Sequence, residues 1–162
     1  MDLIEADYVE RQYYVTGRLT KQIYADDCFF DAPDPDMPVT GLTKYVDAIS
    51  NLFERKSSQV QLLCIETIDD KTILARWRLE GTLKLPWRPK VKPYTGVTVY
   101  HLNEQGLVQR HTELWSITAF DAFVSVIFPN WFGAAEPAPS VEELMEHRPA
   151  HLFPNPAPLL NA

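Results

Sequence analysis

The stretch "QVQLLCIETIDDKTILARWRLEGTLKL", residues 59–85, decides the fold class. In its second half Ile73, Ala75, Trp77 and Leu79 fall on one face, and Arg76, Arg78 and Glu80 on the other. That two-residue alternation predicts an antiparallel strand buried on one side. "DDK", residues 69–71, reads as the tight turn that joins it to the apolar run before it. Upstream the period changes. "GLTKYVDAISNLFERK", residues 41–56, places Leu42, Tyr45, Val46, Ile49, Leu52 and Phe53 on one face of an α-helix, with Asp47, Glu54 and Arg55 largely on the wet side.

Working outward, "CFFDA" (28–32) reads as a strand closed by Pro33, and the three prolines of "PDPDMP" (33–38) remove the backbone donors that a helix or sheet interior needs. Thr20 is placed to cap a short helix, "KQIYA" (21–25). Ile4, Tyr8, Val15 and Leu19 give residues 3–16 a helix with one apolar stripe, weakened at Gly17. Downstream, "PWRPKVKP" (86–93) is a long loop or strand extension. "YTGVTVYHL" (94–102) is a strand, "NEQG" (103–106) a hairpin turn, and "LVQRHTELWSIT" (107–118) its partner. Residues 119–128 fit a helix closing over the sheet better than a last strand. Helices followed by hairpin-linked strands predict an α+β fold, helices packed on one face of an antiparallel sheet.

A chain of 162 residues, 46% apolar, suits one domain, assigned to 1–128. From Pro129 onward the composition shifts, with seven of the thirteen prolines. Residues 129–162 are expected to form a surface-hugging or disordered extension, with Ser140 and Glu143 as a capping box for a short helix near 140–148. A net charge of −7 disfavours nucleic acid. No apolar run approaches the ~18 residues of a membrane span. The acidic start, "MDLIEADYVERQ", resembles neither a secretory signal nor a transit peptide, so a soluble protein is expected. Cys28 and Cys64 fit buried free thiols, no metal spacing is present, and no cofactor is expected.

Helix, "IYADD", strand "FFDAP", loop, helix "GLTKYV", then long strands: this order resembles the nuclear transport factor 2-like (SnoaL-like) superfamily. The later phrase "RWRLEGTLKLPWRPKVKPYTGVTVYHLNEQGLVQRH" resembles an uncharacterised branch from cyanobacteria and plastids. The resemblance spans roughly residues 3–118. It implies a curved sheet wrapped around helices as a cone, with an apolar cavity at its open end. It also implies a plastid stromal location, the alternative being a cytoplasmic one, and pairing of two copies through the outer sheet face, where Arg76, Arg78 and Glu80 would lie. The superfamily holds isomerases, dehydratases, small-molecule binders and interaction modules, so the fold does not choose among them.

Three readings follow. In the first, the cone binds an apolar or amphipathic small molecule without catalysis, through Tyr14, Phe30, Trp77, Tyr100 and Trp115. In the second, the protein is a lyase or isomerase. The superfamily's ketosteroid isomerases carry a general-base Asp directly before a Pro at the end of this strand. Here Asp31 stands one residue earlier, with Tyr8 or His111 as partner. The competing role for Asp31 is to accept backbone bonds in its own turn. His101 and His111 are placed as near neighbours across a hairpin, and Glu113 shares a face with His111 and Trp115. In the third, the protein is an interaction module, with Lys84, Arg88, Lys90 and Lys92 as a basic loop for an acidic partner or an anionic headgroup.

Overall fold

The computed structural model describes residues 1–33, 37–118, 137–147 and 150–160. The segment 119–128, read above as a closing helix, lies outside them. Helices α1 (Asp2–Val9) and α2 (Tyr13–Thr16) and a 3-10 turn (Lys21–Ile23) precede strand β1 (Tyr24–Asp31). A two-residue strand β2 (Val39–Thr40) and helix α3 (Leu42–Ser50) follow. Then come β3 (Gln59–Asp69), β4 (Thr72–Thr82), β5 (Lys90–Leu102) and β6 (Val108–Trp115). Helices α4 (Val141–His147) and α5 (Ala157–Leu160) lie in the C-terminal part.

The sheet order is β2-β1-β6-β5-β4-β3, curved and unclosed, with α1 and α2 against β3 and α3 against β1. All neighbours are antiparallel except β1 and β6, which run parallel. The wholly antiparallel sheet expected from the hairpins is therefore mixed. Hairpin signals are local, and the parallel pair joins the two ends of the domain.

Local departures have local causes. Of the residues read as helix "KQIYA", Lys21–Ile23 form a 3-10 turn and Tyr24 and Ala25 start strand β1 instead, because Tyr24 pairs with Val108. The first helix breaks at Gln12, which sits in the left-handed region at φ 52°. Its side chain repays the break: the amide donates to Tyr8 O (2.7 Å) and Val60 O (2.8 Å), and Oε1 accepts from Val60 N–H (2.9 Å). α3 stops at Ser50, although the apolar period runs on to Phe53, since Phe53 bridges to Leu83 and Leu52 O accepts from Lys84 N–H. Asp7 is buried and ties α1 to Thr20, accepting from its N–H (2.9 Å) and its hydroxyl (2.7 Å). Burial holds this carboxyl above the usual range, against the lowering effect of Thr20 and Arg11.

The concave face is built from Cys28 and Phe30 on β1, Ile73, Ala75, Trp77 and Leu79 on β4, Tyr94, Thr98 and Tyr100 on β5, and His111 and Glu113 on β6, all buried. Burial pushes the Cys28 thiol up to about 12 and keeps it protonated. Gly96 faces Trp77 across the β4–β5 ladder, and a Cβ there would lie 2.3 Å from the indole. Gly96→Ala is therefore expected to destabilise the protein by roughly 3 kcal/mol or more, since the indole must move and lose its hydrogen bond. Urea unfolding of the variant against the natural chain measures it; an unchanged midpoint would refute the packing.

The convex face is not bare. Leu74, Val97 and Val99 are covered there by Phe153, Leu159 and Leu160. Ala138 N–H donates to Pro93 O (2.7 Å), Arg78 Nε to Pro139 O (2.8 Å), and the Thr95 hydroxyl to Leu152 O. Ser140 and Glu143 form a reciprocal capping box at the start of α4, whose Leu144 is buried. The alternating face of β4, expected to be wet or to meet a second copy, thus carries the chain's own C-terminal segment. Arg78 is 7% exposed, bonded also to Gln61 and Glu80.

Candidate functional site

Strand alternation aims His111, Glu113 and Trp115 into the concavity, and α3 lowers Tyr45 onto them. Glu113 Oε1 accepts from Tyr45 O–H at 3.0 Å, and Oε2 from Trp115 N–H at 3.1 Å. His111 Nε2 lies 3.0 Å from the same Oε1. Since a carboxylate only accepts, Nε2 carries a ring proton, and in the neutral imidazole Nδ1 is then the acceptor. Nδ1 is buried and has no hydrogen-bond partner among the described residues. Aromatic rings enclose the imidazole: Tyr100 at 4.8 Å, Tyr45 at 5.2 Å and Phe30 at 5.3 Å between centroids.

A second polar cluster adjoins it. Thr98 Oγ1 accepts from Trp77 Nε1 (2.8 Å) and from Tyr8 O–H (3.1 Å), which uses both lone pairs. Its own proton therefore goes to the Tyr14 phenol oxygen at 3.0 Å. Tyr100 O–H donates to Tyr8 at 3.0 Å, and Tyr13 to Tyr8 at 3.4 Å. Burial pushes the Tyr8 phenol up to about 12, and holds Tyr13, Tyr14, Tyr24, Tyr45 and Tyr100 well above the ordinary range. At neutral pH all six are uncharged. The inner face of the sheet is thus lined with uncharged aromatic side chains packed around the Glu113–His111 contact.

The sequence-predicted residues divide between the two faces. Tyr8, Tyr14, Phe30, Trp77, Tyr100, His111 and Trp115 face inward. Asp31 does not join them. Phe30 pairs with His111 and Asp31 with Thr112, so alternation turns the half-buried Asp31 to the convex side. His101 is also parted from His111. It pairs with Arg110, and its Nε2 meets Leu159 O at 2.9 Å on the convex face. The two histidines were expected to be neighbours, but adjacent positions on antiparallel strands put them on opposite faces. Lys84, Arg88 and Lys90 are exposed at the β4–β5 turn, and Lys92 is half-buried. Tyr45 and Asp7 were missed: each reads locally as an ordinary helix residue, and only the tertiary fold gives it a partner. Among the described residues no cluster of His, Cys, Asp and Glu is arranged to hold a metal, and no helix is long and apolar enough to cross a membrane.

Comparison with known proteins places these features. Residues 1–111 match the model of a family described as "Uncharacterized conserved protein (DUF2358)". No curated protein matches the chain. Among solved structures, an uncharacterized cystatin-fold protein from Novosphingobium aromaticivorans aligns with a TM-score of 0.55 at 13% identity, over 69% of this chain and 94% of that one. A nuclear transport factor 2-like protein from Anabaena variabilis aligns with a TM-score of 0.53 at 15% identity, over 70% and 84%. A SnoaL-like family protein from Agrobacterium tumefaciens aligns at 0.43 and 18% identity, over 59% and 75%. The first two likenesses establish the nuclear transport factor 2-like fold and nothing finer.

Proposed function

We propose, from the premise that the chain belongs to the DUF2358 family of uncharacterized conserved proteins, that it binds a small apolar molecule bearing one hydrogen-bond donor inside the cone. The observation that carries this reading is His111 Nδ1, an acceptor held in a fixed direction and left without a partner among the described residues. An unpaired buried acceptor costs about 1–3 kcal/mol, and a ligand hydroxyl or protonated carboxyl would remove that penalty. The rings of Phe30, Tyr45, Tyr100 and Trp77 supply apolar contact, and the Tyr14 hydroxyl, which accepts from Thr98 and keeps its own proton, supplies polar selectivity.

A second reading has its own support. Glu113 fixes His111 through Nε2, the arrangement in which a carboxylate sets the tautomer and frees the other nitrogen to act as a base. In this reading the acid–base pair is His111 and Glu113, with the Tyr14 hydroxyl as donor to a developing oxyanion.

The test is native mass spectrometry of the chain purified gently from its own host, beside the His111→Phe/Glu113→Gln double variant. The natural chain is expected to carry a discrete mass excess that vanishes on denaturation. The double variant is expected to fold, with stability within about 2 kcal/mol, and to lack the excess. No excess in the natural chain, or equal retention by the folded variant, overturns the reading. A different molecule recovered from Glu113→Gln than from the natural chain would mark turnover and favour the acid–base reading.

A further inference from the structure

Between β4 and β5 the chain passes through Lys84–Leu85–Pro86–Trp87–Arg88, five consecutive exposed residues. This tip is a built turn. Arg88 N–H donates to Leu85 O (2.9 Å), Leu83 N–H to Pro89 O (2.9 Å) and Lys84 N–H to Leu52 O (3.0 Å). Arg88 takes a left-handed conformation, φ 44°, that closes it. The turn holds two large apolar side chains outward: Trp87 is 62% exposed and Leu85 39%. Neither belongs to an apolar cluster of the described residues.

Cations surround this apolar tip. Lys84 and Arg88 belong to it, Lys90 follows at the start of β5, and Lys90 and Lys56 line one groove of about 560 Å³ with Ser57, Ser58 and Gln59. Among the described residues Lys56, Lys84 and Lys90 make no ion pair. Two acids lie close: Glu54 is 3.9 Å from Arg88, and Glu80, on the groove wall, is held by Arg78. On a chain of net charge −7 this is a local reversal of sign.

We propose that the hairpin tip docks the protein on an anionic lipid surface. Leu85 and Trp87 enter the interfacial layer, and Lys84, Arg88, Lys90 and Lys56 face the headgroup phosphates. Tryptophan suits that layer, with an apolar body and a polar N–H. Each cation near the surface adds to the attraction, and the rest of the acidic chain is repelled, which orients the tip toward the membrane. An acidic protein partner fits less well. A stable protein contact takes about 800 Å² per side, whereas this apolar element is a convex wedge of two side chains. A fluid interface accepts such a wedge without a matching cavity.

The test is co-sedimentation of the full chain with vesicles rich in phosphatidylglycerol, against vesicles of phosphatidylcholine alone. Binding is expected only to the anionic vesicles and is expected to weaken with added salt. Leu85→Ser/Trp87→Ser is expected to weaken it about tenfold or more. Lys84→Glu/Lys90→Glu is expected to abolish it. Both variants change exposed residues, so thermal melting should match the natural chain. Absence of binding to anionic vesicles at low salt overturns the proposal, as does binding indifferent to either variant. Retention on polyglutamate without vesicle binding would give the tip an acidic protein partner and overturn it equally.

Discussion

Taken through alkaline pH, the protein is expected to unfold in one cooperative step in which six tyrosines ionise together. The chain has seven, and six of them have phenols held above the ordinary range by burial: Tyr8, Tyr13, Tyr14, Tyr24, Tyr45 and Tyr100. In the unfolded chain each titrates near ~10. Below that pH both states keep every phenolic proton, and the stability is fully present. As pH rises from 10 toward the folded values, the unfolded chain releases protons that the folded chain retains, so stability falls. Six such groups remove about 8 kcal/mol per pH unit, against a total of roughly 5–15 kcal/mol for an ordinary domain. Unfolding should therefore be complete within about two units above pH 10. Tyrosinate absorbance and far-ultraviolet circular dichroism, followed together, measure it. A gradual rise in absorbance near the ordinary phenol value, with the dichroism intact, would refute the packing described for these tyrosines.

The same burial bears on function. Near neutrality the uncharged phenols give the inner face hydrogen-bond donors and acceptors, and none of them serves as a base there. In the acid–base reading proposed above, that leaves His111 and Glu113 as the pair to be tested. This division was half legible in the sequence. Alternation along β6 put His111, Glu113 and Trp115 on one face, because a strand repeats every two residues whatever it packs against. The same rule, applied from Phe30, turns Asp31 outward; the family-like proline after it drew attention to a residue that the register sends to the other side. Tyr45 was legible as a core residue of its helix, but its hydroxyl contact with Glu113 spans distant segments and leaves no local trace. The parallel β1–β6 pairing was invisible for the same reason, and with it the closure that brings Phe30 against His111. The strand faces of β4 were read correctly. The occupant of its convex face was not, since a proline-rich composition tells that a segment avoids regular structure and not where it lies.

That occupant makes the second large effect. Phe153, Leu159 and Leu160 lie half-buried over Leu74, Val97 and Val99, which are 0–1% exposed beneath them. Their polar neighbours, Arg78 and Thr95, spend hydrogen bonds on the backbone of the same segment. The combined variant Phe153→Ser/Leu159→Ser/Leu160→Ser keeps the chain length and removes the apolar grip. It is expected to cost about 3 kcal/mol, roughly one for each half-buried side chain. It is also expected to promote self-association, because the uncovered strand face becomes a contiguous apolar patch. Urea unfolding gives the first quantity, and sedimentation velocity across a concentration series gives the second. Lower stability with larger species that grow with concentration would show that the segment shields this face from a second copy. If the variant keeps both the unfolding midpoint and the sedimentation profile of the natural chain, the segment does not hold the face, and the surface suggested by Arg76, Arg78 and Glu80 is open to a partner after all.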